Sequence, residues 1–218
     1  MRFQAVIFDL DGTLLDTIED LTDSVNAALA RLGFPAKTVE ECKILVGDGL
    51  ATLIRRALPS SRAEDPEAFR KLYDGMRAEY RLRNAVKTRP YPGIPELLAA
   101  LAERKIPLAV LSNKPHDSTR EVVEKNFPGV PFRFVCGARE EIPVKPDPAG
   151  ALDIARRFHI PPGEILYVGD TNTDMRTAAA AKMFAVGVLW GFRTADELRK
   201  NGAQVLVSRP SEILGLLD

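Results

Sequence analysis

Cysteine, histidine and long apolar runs are scarce in this sequence of 218 residues. The two cysteines, Cys42 and Cys136, lie far apart, and neither has a Cys or His neighbour at metal-ligand spacing. This excludes a disulfide framework and a Cys/His metal site of the usual pattern. We therefore expect both cysteines to be buried, reduced thiols.

An excess of charge is also missing, since 30 basic residues balance 30 acidic ones. Without a global field there is no preference for nucleic acid or for a membrane surface, and any attraction for anions must be local. The first apolar run is short and is broken by Asp9, so it is neither a signal-peptide core nor a bilayer span. We expect a cytoplasmic protein with no nucleic-acid or membrane partner.

Strand-like and helix-like segments alternate along most of the chain, and 45% of its residues are apolar, enough for a sizeable core. The strands are continuous apolar runs, which is typical of a parallel sheet covered by helices on both faces. The predicted class is α/β, with a core formed by residues 1–16 and 88–218. Residues 17–87 contain only helical patterns, and they predict an inserted helical domain, the cap, which can act as a lid. The strands are predicted at 5–8, 108–111, 132–135, 165–168, 185–189 and 204–207.

Polar residues follow three of these strands directly. Asp9 and Asp11 follow the first, Ser112 the second, and Asp170 the fourth. The carboxyl ends of parallel strands form the ligand-binding edge of such a sheet, so we expect these side chains to converge. Two more residues join them: Lys145, which precedes a helix on the same side, and Asp174, four residues after Asp170.

Four aspartates at one sheet edge carry more negative charge than one lysine neutralises, which implies a divalent cation. Oxygen-only ligands select a hard ion, and Mg²⁺ held by carboxylates, waters and a phosphate oxygen fits best. The substrate is then a phosphate. Asp9 is the expected nucleophile. Asp11 is the expected acid and base, and Ser112 and Lys145 are expected to hold the phosphoryl oxygens.

Four segments in this order resemble the motifs of the haloacid dehalogenase superfamily, in its phosphatase branch. They are DLDGT at 9–13, Ser112 in VLSNK, Lys145 in VKPDP, and VGDTNTD at 168–174. The resemblance implies a Rossmann-like three-layer core with a helical cap, and Mg²⁺ bound by Asp9, the Asp11 carbonyl and Asp170. It also implies Asp174 as an outer metal residue, and a substrate phosphate held by Asp9, Ser112, Asn113 and Lys145.

Weaker signals within the family resemble phosphoglycolate phosphatases: the start of the cap, VGDGL at 46–50, and the C-terminal stretch. The predicted function is Mg²⁺-dependent hydrolysis of a small phosphorylated metabolite, with 2-phosphoglycolate as the leading substrate. Asp11 argues against dehalogenases and phosphonate hydrolases, which lack an acid at this position. A β-phosphoglucomutase-like phosphomutase and a pyrophosphatase or nucleotidase of the same family remain alternatives.

A function of another class is a non-enzymatic phosphoacceptor module, because receiver domains also combine acids, a hydroxyl and a lysine. Asp11 and the long cap weigh against it. In the cap, the glycine-rich turn at 46–49 is the candidate for facing the site, and a basic residue of the last cap helix is a second candidate for a substrate carboxylate. The sequence leaves both monomer and homodimer open.

Overall fold

The computed structural model describes residues 3–83 and 85–218, so Met1, Arg2 and Asn84, which fall within the predicted ranges 1–16 and 17–87, lie outside the described residues. The chain divides into two compact units. The larger unit comprises Met1–Asp16 and Pro90–Asp218, and the smaller unit comprises Thr17–Arg89. The larger unit is therefore built from two segments that are far apart in sequence.

A six-stranded sheet forms the centre of the larger unit, with the strand order β5-β4-β1-β6-β7-β8 and parallel pairing between neighbours. The first strand, only four residues long, lies between β4 and β6 near the middle of the sheet. The strands are β1 (Ala5–Phe8), β4 (Leu108–Pro115), β5 (Phe132–Ala138), β6 (Ile165–Gly169), β7 (Phe184–Val188) and β8 (Val205–Val207). Two short strands, β2 (Leu15–Asp16) and β3 (Arg89–Pro90), lie where the chain passes between the units.

Apolar side chains on both faces of the sheet explain why its strands read as continuous hydrophobic runs. Along β1, Val6 and Phe8 contribute to one buried cluster, while Ala5 and Ile7 contribute to the cluster on the opposite face. Helices cover both clusters, which confirms the predicted α/β class. The helices of this unit are α5 (Ile94–Glu103), α6 (His116–Asn126), α7 (Ala149–Phe158), α8 (Asn172–Ala181) and α9 (Ala195–Lys200).

The smaller unit is helical wherever the structure describes it, apart from its turns, a short 3₁₀ segment and the boundary strand β3. Helices α1 and α4 pack on each other closely enough that a Cβ added to Gly75 would lie 3.4 Å from the Cβ of Ala28. A capping box starts α2, since Thr38 and Glu41 exchange side-chain to backbone hydrogen bonds. The helices are α1 (Ile18–Arg31), α2 (Val39–Leu45), α3 (Leu50–Ala57) and α4 (Pro66–Arg83).

The predicted ends of two strands are wrong by a few residues. Strand β5 continues to Ala138 instead of ending at residue 135, and strand β4 continues to Pro115 instead of ending at Leu111, because Pro115 pairs with Ala138 after a shift in register. Helix α7 begins at Ala149, whose N–H donates a hydrogen bond to Oδ1 of Asp147 just before the helix. Both cysteines are free and buried, as predicted. Among the described residues, no helix has the length and apolar character needed to cross a bilayer.

Candidate active site

The carboxyl ends of β1, β4 and β6 lie side by side, because these strands are adjacent and parallel. The backbone N–H of Asp9 donates to the carbonyl of Val168 at 2.9 Å, which extends the pairing of β1 with β6 to the first site residue. The chain then turns sharply at Gly12, whose φ is 88°. This geometry brings the predicted site residues of distant segments to one edge of the sheet.

Lys145 lies between two of the predicted carboxylates. Its Nζ is 2.7 Å from Oδ1 of Asp9 and 2.7 Å from Oδ1 of Asp174, and its side chain is almost fully buried. Burial lowers the pKa of Lys145, but the charges of Asp174 and Asp9 outweigh that effect and hold the pKa above its usual value. Lys145 is therefore a permanent cation, the counter-charge that the sequence predicted.

Lys145 does not fully neutralise the negative charge around Asp9 and Asp170. Burial, followed by repulsion from Asp174, raises the pKa of Asp9 well above its usual range, while Lys145 opposes the shift. Burial, followed by repulsion from Asp174, also raises the pKa of Asp170, to about 7. Hydrogen bonds from the N–H of Phe192 and the hydroxyl of Thr13 lower this pKa, but by less. The site as it stands thus has an excess of buried negative charge.

Oxygen atoms of Asp9, Asp170 and Asp174 lie within 4.8 Å of one another, and all three residues are buried. Oxygen-only donors in a group of this charge fit a hard divalent cation, which would relieve the repulsion that raises the pKa of Asp9 and Asp170. Asp174 is held in place by the capping box of α8, since its Oδ2 accepts from both the N–H and the hydroxyl of Thr171. The structure thus supplies a candidate metal centre.

The other predicted residues surround this centre. Ser112 is buried, and its hydroxyl accepts a hydrogen bond from the Lys114 N–H at 3.1 Å. The amide side chain of Asn113 donates to the carbonyl of Lys145 at 2.9 Å and accepts from its N–H at 2.8 Å. Asn113 thereby fixes the backbone that carries Lys145, and its predicted contact with a phosphate remains a prediction. The carboxylate of Asp11 is not part of the metal-candidate group.

Sequence reasoning missed Lys114, whose Nζ lies 2.8 Å from Oδ1 of Asp11. Lys114 stands in the VLSNK segment, but the uncompensated charge was assigned to a divalent cation and not to a second lysine. Two residues that follow β7, Trp190 and Phe192, also bond to segments of the site. The indole N–H of Trp190 donates to the carbonyl of Thr13 at 3.0 Å, and the backbone N–H of Phe192 donates to Oδ2 of Asp170 at 2.8 Å. No sequence pattern indicates such contacts between distant loops.

Several candidate residues of the smaller unit have partners within that unit. Asp48, in the predicted glycine-rich turn, pairs with Arg56 at 2.6 Å. Lys71 pairs with Glu67, and Arg83 pairs with the buried Glu79. These pairs account for part of the basic surface of α4 without a ligand.

A parallel α/β sheet that collects acids and a buried lysine at the carboxyl ends of its central strands has a candidate active site where proteins of this fold class bind ligands. Residues 6–188 match the family model described as haloacid dehalogenase-like hydrolase. The chain belongs to this family and is an enzyme of the hydrolase class.

Relatives cover nearly the whole chain. A phosphoglycolate phosphatase of Neisseria meningitidis is 35% identical over 219 residues, covering 98% of this chain and 90% of the relative. One from Pseudomonas savastanoi is 33% identical and covers 98% of this chain and 79% of the relative. A solved structure from Lactobacillus delbrueckii, provisionally named phosphoglycolate phosphatase, superposes with a TM-score of 0.90 at 32% identity, covering 100% of this chain and 99% of that one.

Proposed function

We propose that the protein is a Mg²⁺-dependent phosphatase that hydrolyses a small phosphate monoester through an aspartyl-phosphate on Asp9. The observation that carries the proposal is the position of Lys145, with its Nζ 2.7 Å from both Asp9 and Asp174 beside an oxygen-only acidic group. Lys145 opposes the rise in the pKa of Asp9, which favours the ionised nucleophile, and it is a cation near which phosphoryl oxygens would gather.

The proposed reaction has two steps, and each needs one proton transfer. An oxygen of Asp9 forms a bond to phosphorus while the bond from phosphorus to the leaving alkoxide breaks, and Asp11 gives that alkoxide a proton. A water molecule then attacks the phosphorus of the aspartyl-phosphate, Asp11 takes its proton, and inorganic phosphate leaves as the Asp9 carboxylate is restored. Ser112 and Lys145 hold the phosphoryl oxygens during both steps. The proton transfers by Asp11 are of the kind that contributes about 10²–10⁴-fold in rate.

Mg²⁺ is the proposed ion because the donors are carboxylate oxygens. Asp9, Asp170 and the carbonyl of Asp11 would hold it, with Asp174 as an outer residue. When bound, the ion would neutralise part of the negative charge that the acids and the substrate phosphate bring together. A lid role for the smaller unit remains a prediction from the sequence.

Substrate identity rests on the relatives. Several curated relatives at about one third identity over nearly the full chain carry the name phosphoglycolate phosphatase, and this supports 2-phosphoglycolate as the leading substrate. A location in the cytoplasm, and the choice between monomer and homodimer, remain predictions from the sequence.

The test is Asp9→Asn, assayed for phosphate released from 2-phosphoglycolate in Mg²⁺. We expect wild type to release phosphate and glycolate in equal amounts, and the variant to lose at least about 10³-fold in kcat, because an amide is a far poorer nucleophile. Asp196→Asn, an exposed position on α9, is the matched control and should keep full activity.

Undiminished Mg²⁺-dependent hydrolysis by Asp9→Asn would refute the nucleophile assignment. Release of a phosphate-ester isomer in place of free phosphate would identify a mutase. A phosphoprotein that forms once and persists for hours, without multiple turnover, would identify the phosphoacceptor module instead.

A further inference from the structure

A second buried lysine faces the other aspartate of the DLDGT segment. Lys114 lies near the end of β4, two residues after Ser112, and its Nζ is 2.8 Å from Oδ1 of Asp11. The side chain of Lys114 is 4% exposed and that of Asp11 is 13% exposed. Lys145 contacts Asp9 and Asp174, so each of the two lysines pairs with a different part of the acidic group.

The two ends of the Asp11 carboxylate are in different surroundings. Oδ1 is buried, with less than 1 Å² of accessible surface, and no hydrogen bond of ordinary geometry reaches it among the described residues. Its contact with Lys114 is therefore an ion pair. The buried Oδ1 lies against the lysine, and the accessible surface of the Asp11 side chain lies away from this oxygen. A group that exchanges protons with a substrate needs this division, with one side anchored and the other open.

The backbone around Lys114 is itself fixed. Its N–H donates to the Ser112 hydroxyl at 3.1 Å, and its carbonyl accepts from the hydroxyl of Thr119 at 3.1 Å. A Cβ added to Gly137 on the neighbouring strand would lie 2.6 Å from the same carbonyl, so the two strands approach closely here and glycine is required at this position. The ammonium group is thus presented to Asp11 from a rigid strand, the arrangement that keeps a catalytic group in one orientation.

We propose that Lys114 is the positioning residue of Asp11, holding one carboxylate oxygen so that the other points to the leaving-group oxygen and later to the attacking water. This inference rests on the proposed function, because it assumes that Asp11 is the acid and base. Without Lys114, Oδ1 would be a buried, unpaired carboxylate oxygen, and Asp11 would turn toward solvent. The arrangement extends the rule that a catalytic base is oriented by a third group.

The test compares Lys114→Met with Lys114→Arg on two substrates. With 2-phosphoglycolate, whose alkoxide needs a proton, Lys114→Met should lower kcat about 10²-fold, the lower end of the range for general acid–base catalysis, and change KM by less than about 3-fold. With 4-nitrophenyl phosphate, whose leaving group needs no proton, the first burst of nitrophenolate should keep its size and the later steady rate should fall, because water attack still requires Asp11. Lys114→Arg should restore part of the rate, since it retains the charge.

A double-mutant cycle with Asp11→Asn distinguishes positioning from a merely structural role. If Lys114 acts through Asp11, Lys114→Met should have almost no further effect on kcat in the Asp11→Asn background. Lys200→Met, an exposed position on α9, is the control, and thermal unfolding with and without Mg²⁺ checks that each variant is folded. If Lys114→Met does not fold, Lys114→Gln replaces it in the same cycle.

Two results would overturn the inference. One is an equal loss of kcat from Lys114→Met with and without Asp11. The other is a KM that rises only for 2-phosphoglycolate, which would make Lys114 a ligand of the substrate carboxylate. If wild type hydrolyses neither substrate, the proposed function fails; if Asp11→Asn impairs a working wild type and Lys114→Met does not, only the role of Lys114 fails.

Discussion

Asp170 has almost no freedom to move, because two loops close on its carboxylate. The hydroxyl of Thr13 donates to Oδ1 at 2.9 Å, and the N–H of Phe192 donates to Oδ2 at 2.8 Å. A Cβ built on Gly12 would lie 2.3 Å from Oδ2, and one on Gly191 would lie 2.5 Å from the same oxygen. Only glycine allows this approach, so both glycines help set the position of a proposed metal ligand.

Gly191→Ala tests this enclosure. The added methyl group must displace Asp170, because nothing flexible separates the two, and the Mg²⁺ concentration for half-maximal activity should rise about 10–100-fold, as for other residues that orient metal ligands. Activity and calorimetric titrations with Mg²⁺ measure the effect. Gly215→Ala, with nothing within 4 Å of its added Cβ, is the matched control. Unchanged Mg²⁺ dependence in Gly191→Ala would mean that Asp170 does not hold the ion.

The contrast between Asp9 and Gly191 shows what the sequence can predict for single residues. Asp9 follows an apolar strand and stands in a five-letter motif, so its position and its need for a counter-charge can be inferred from neighbours in sequence. Gly191 and Phe192 act on Asp170 across more than twenty positions, through a contact that only the folded chain creates. Lys114 is an intermediate case. It stands in the recognised VLSNK segment, but the spacing of the motifs does not predict that it pairs with Asp11.

At the level of elements, one buried side chain ties the two ends of the smaller unit together. Asp20, in the first turn of α1, is 1% exposed. Its carboxylate accepts from the backbone N–H groups of Val86, Lys87 and Thr88 at 2.8–3.1 Å, and from the Thr88 hydroxyl at 2.7 Å. These bonds fasten the returning segment after α4 to the helix that starts the unit.

Asp20→Asn should destabilise the smaller unit by about 2–4 kcal/mol, because an amide NH₂ would face backbone donors in a buried place. Urea unfolding measures the loss, and faster hydrogen exchange at the amides of residues 86–88 locates it. Asp23→Asn, one turn further along and half-exposed in its pair with Lys87, should cost no more than about 1 kcal/mol. Equal effects of the two substitutions would show that these backbone bonds contribute little.

The hydrophobic periodicity predicted the helices and strands well. The errors lie at strand ends, where polar residues suggest a loop although the strand continues. Ser112, Asn113 and Lys114 are polar and suggested that the strand had ended, yet β4 continues through them to Pro115, which pairs with Ala138 of β5 after a shift in register. The order of the strands in the sheet could not be predicted from the sequence pattern. Nothing in the apolar runs indicates that β1 lies between β4 and β6, since that depends on crossover connections and not on the strands themselves.

Taken as a whole, the molecule concentrates its proposed chemistry in one unit. Asp9 and Asp11 come from the segment before the smaller unit, and Lys145, Asp170 and Asp174 come from the segment after it. The short first segment also provides β1, with strands on both sides. Folding of the larger unit therefore requires both segments, and a ligand of the acidic group should stabilise this unit in particular.

Hydrogen exchange with and without Mg²⁺ tests that expectation. An ion at 100 times its dissociation constant adds about 2.7 kcal/mol to the stability of the state that binds it. Amides of β1 and β6 that exchange only through unfolding should therefore slow by about 10²-fold. Amides of α1–α4 should change little, because the aspartates proposed to bind the ion all lie in the larger unit. Asp170→Asn should abolish the difference, whereas equal slowing in both units would show that they unfold together or that Mg²⁺ binds elsewhere.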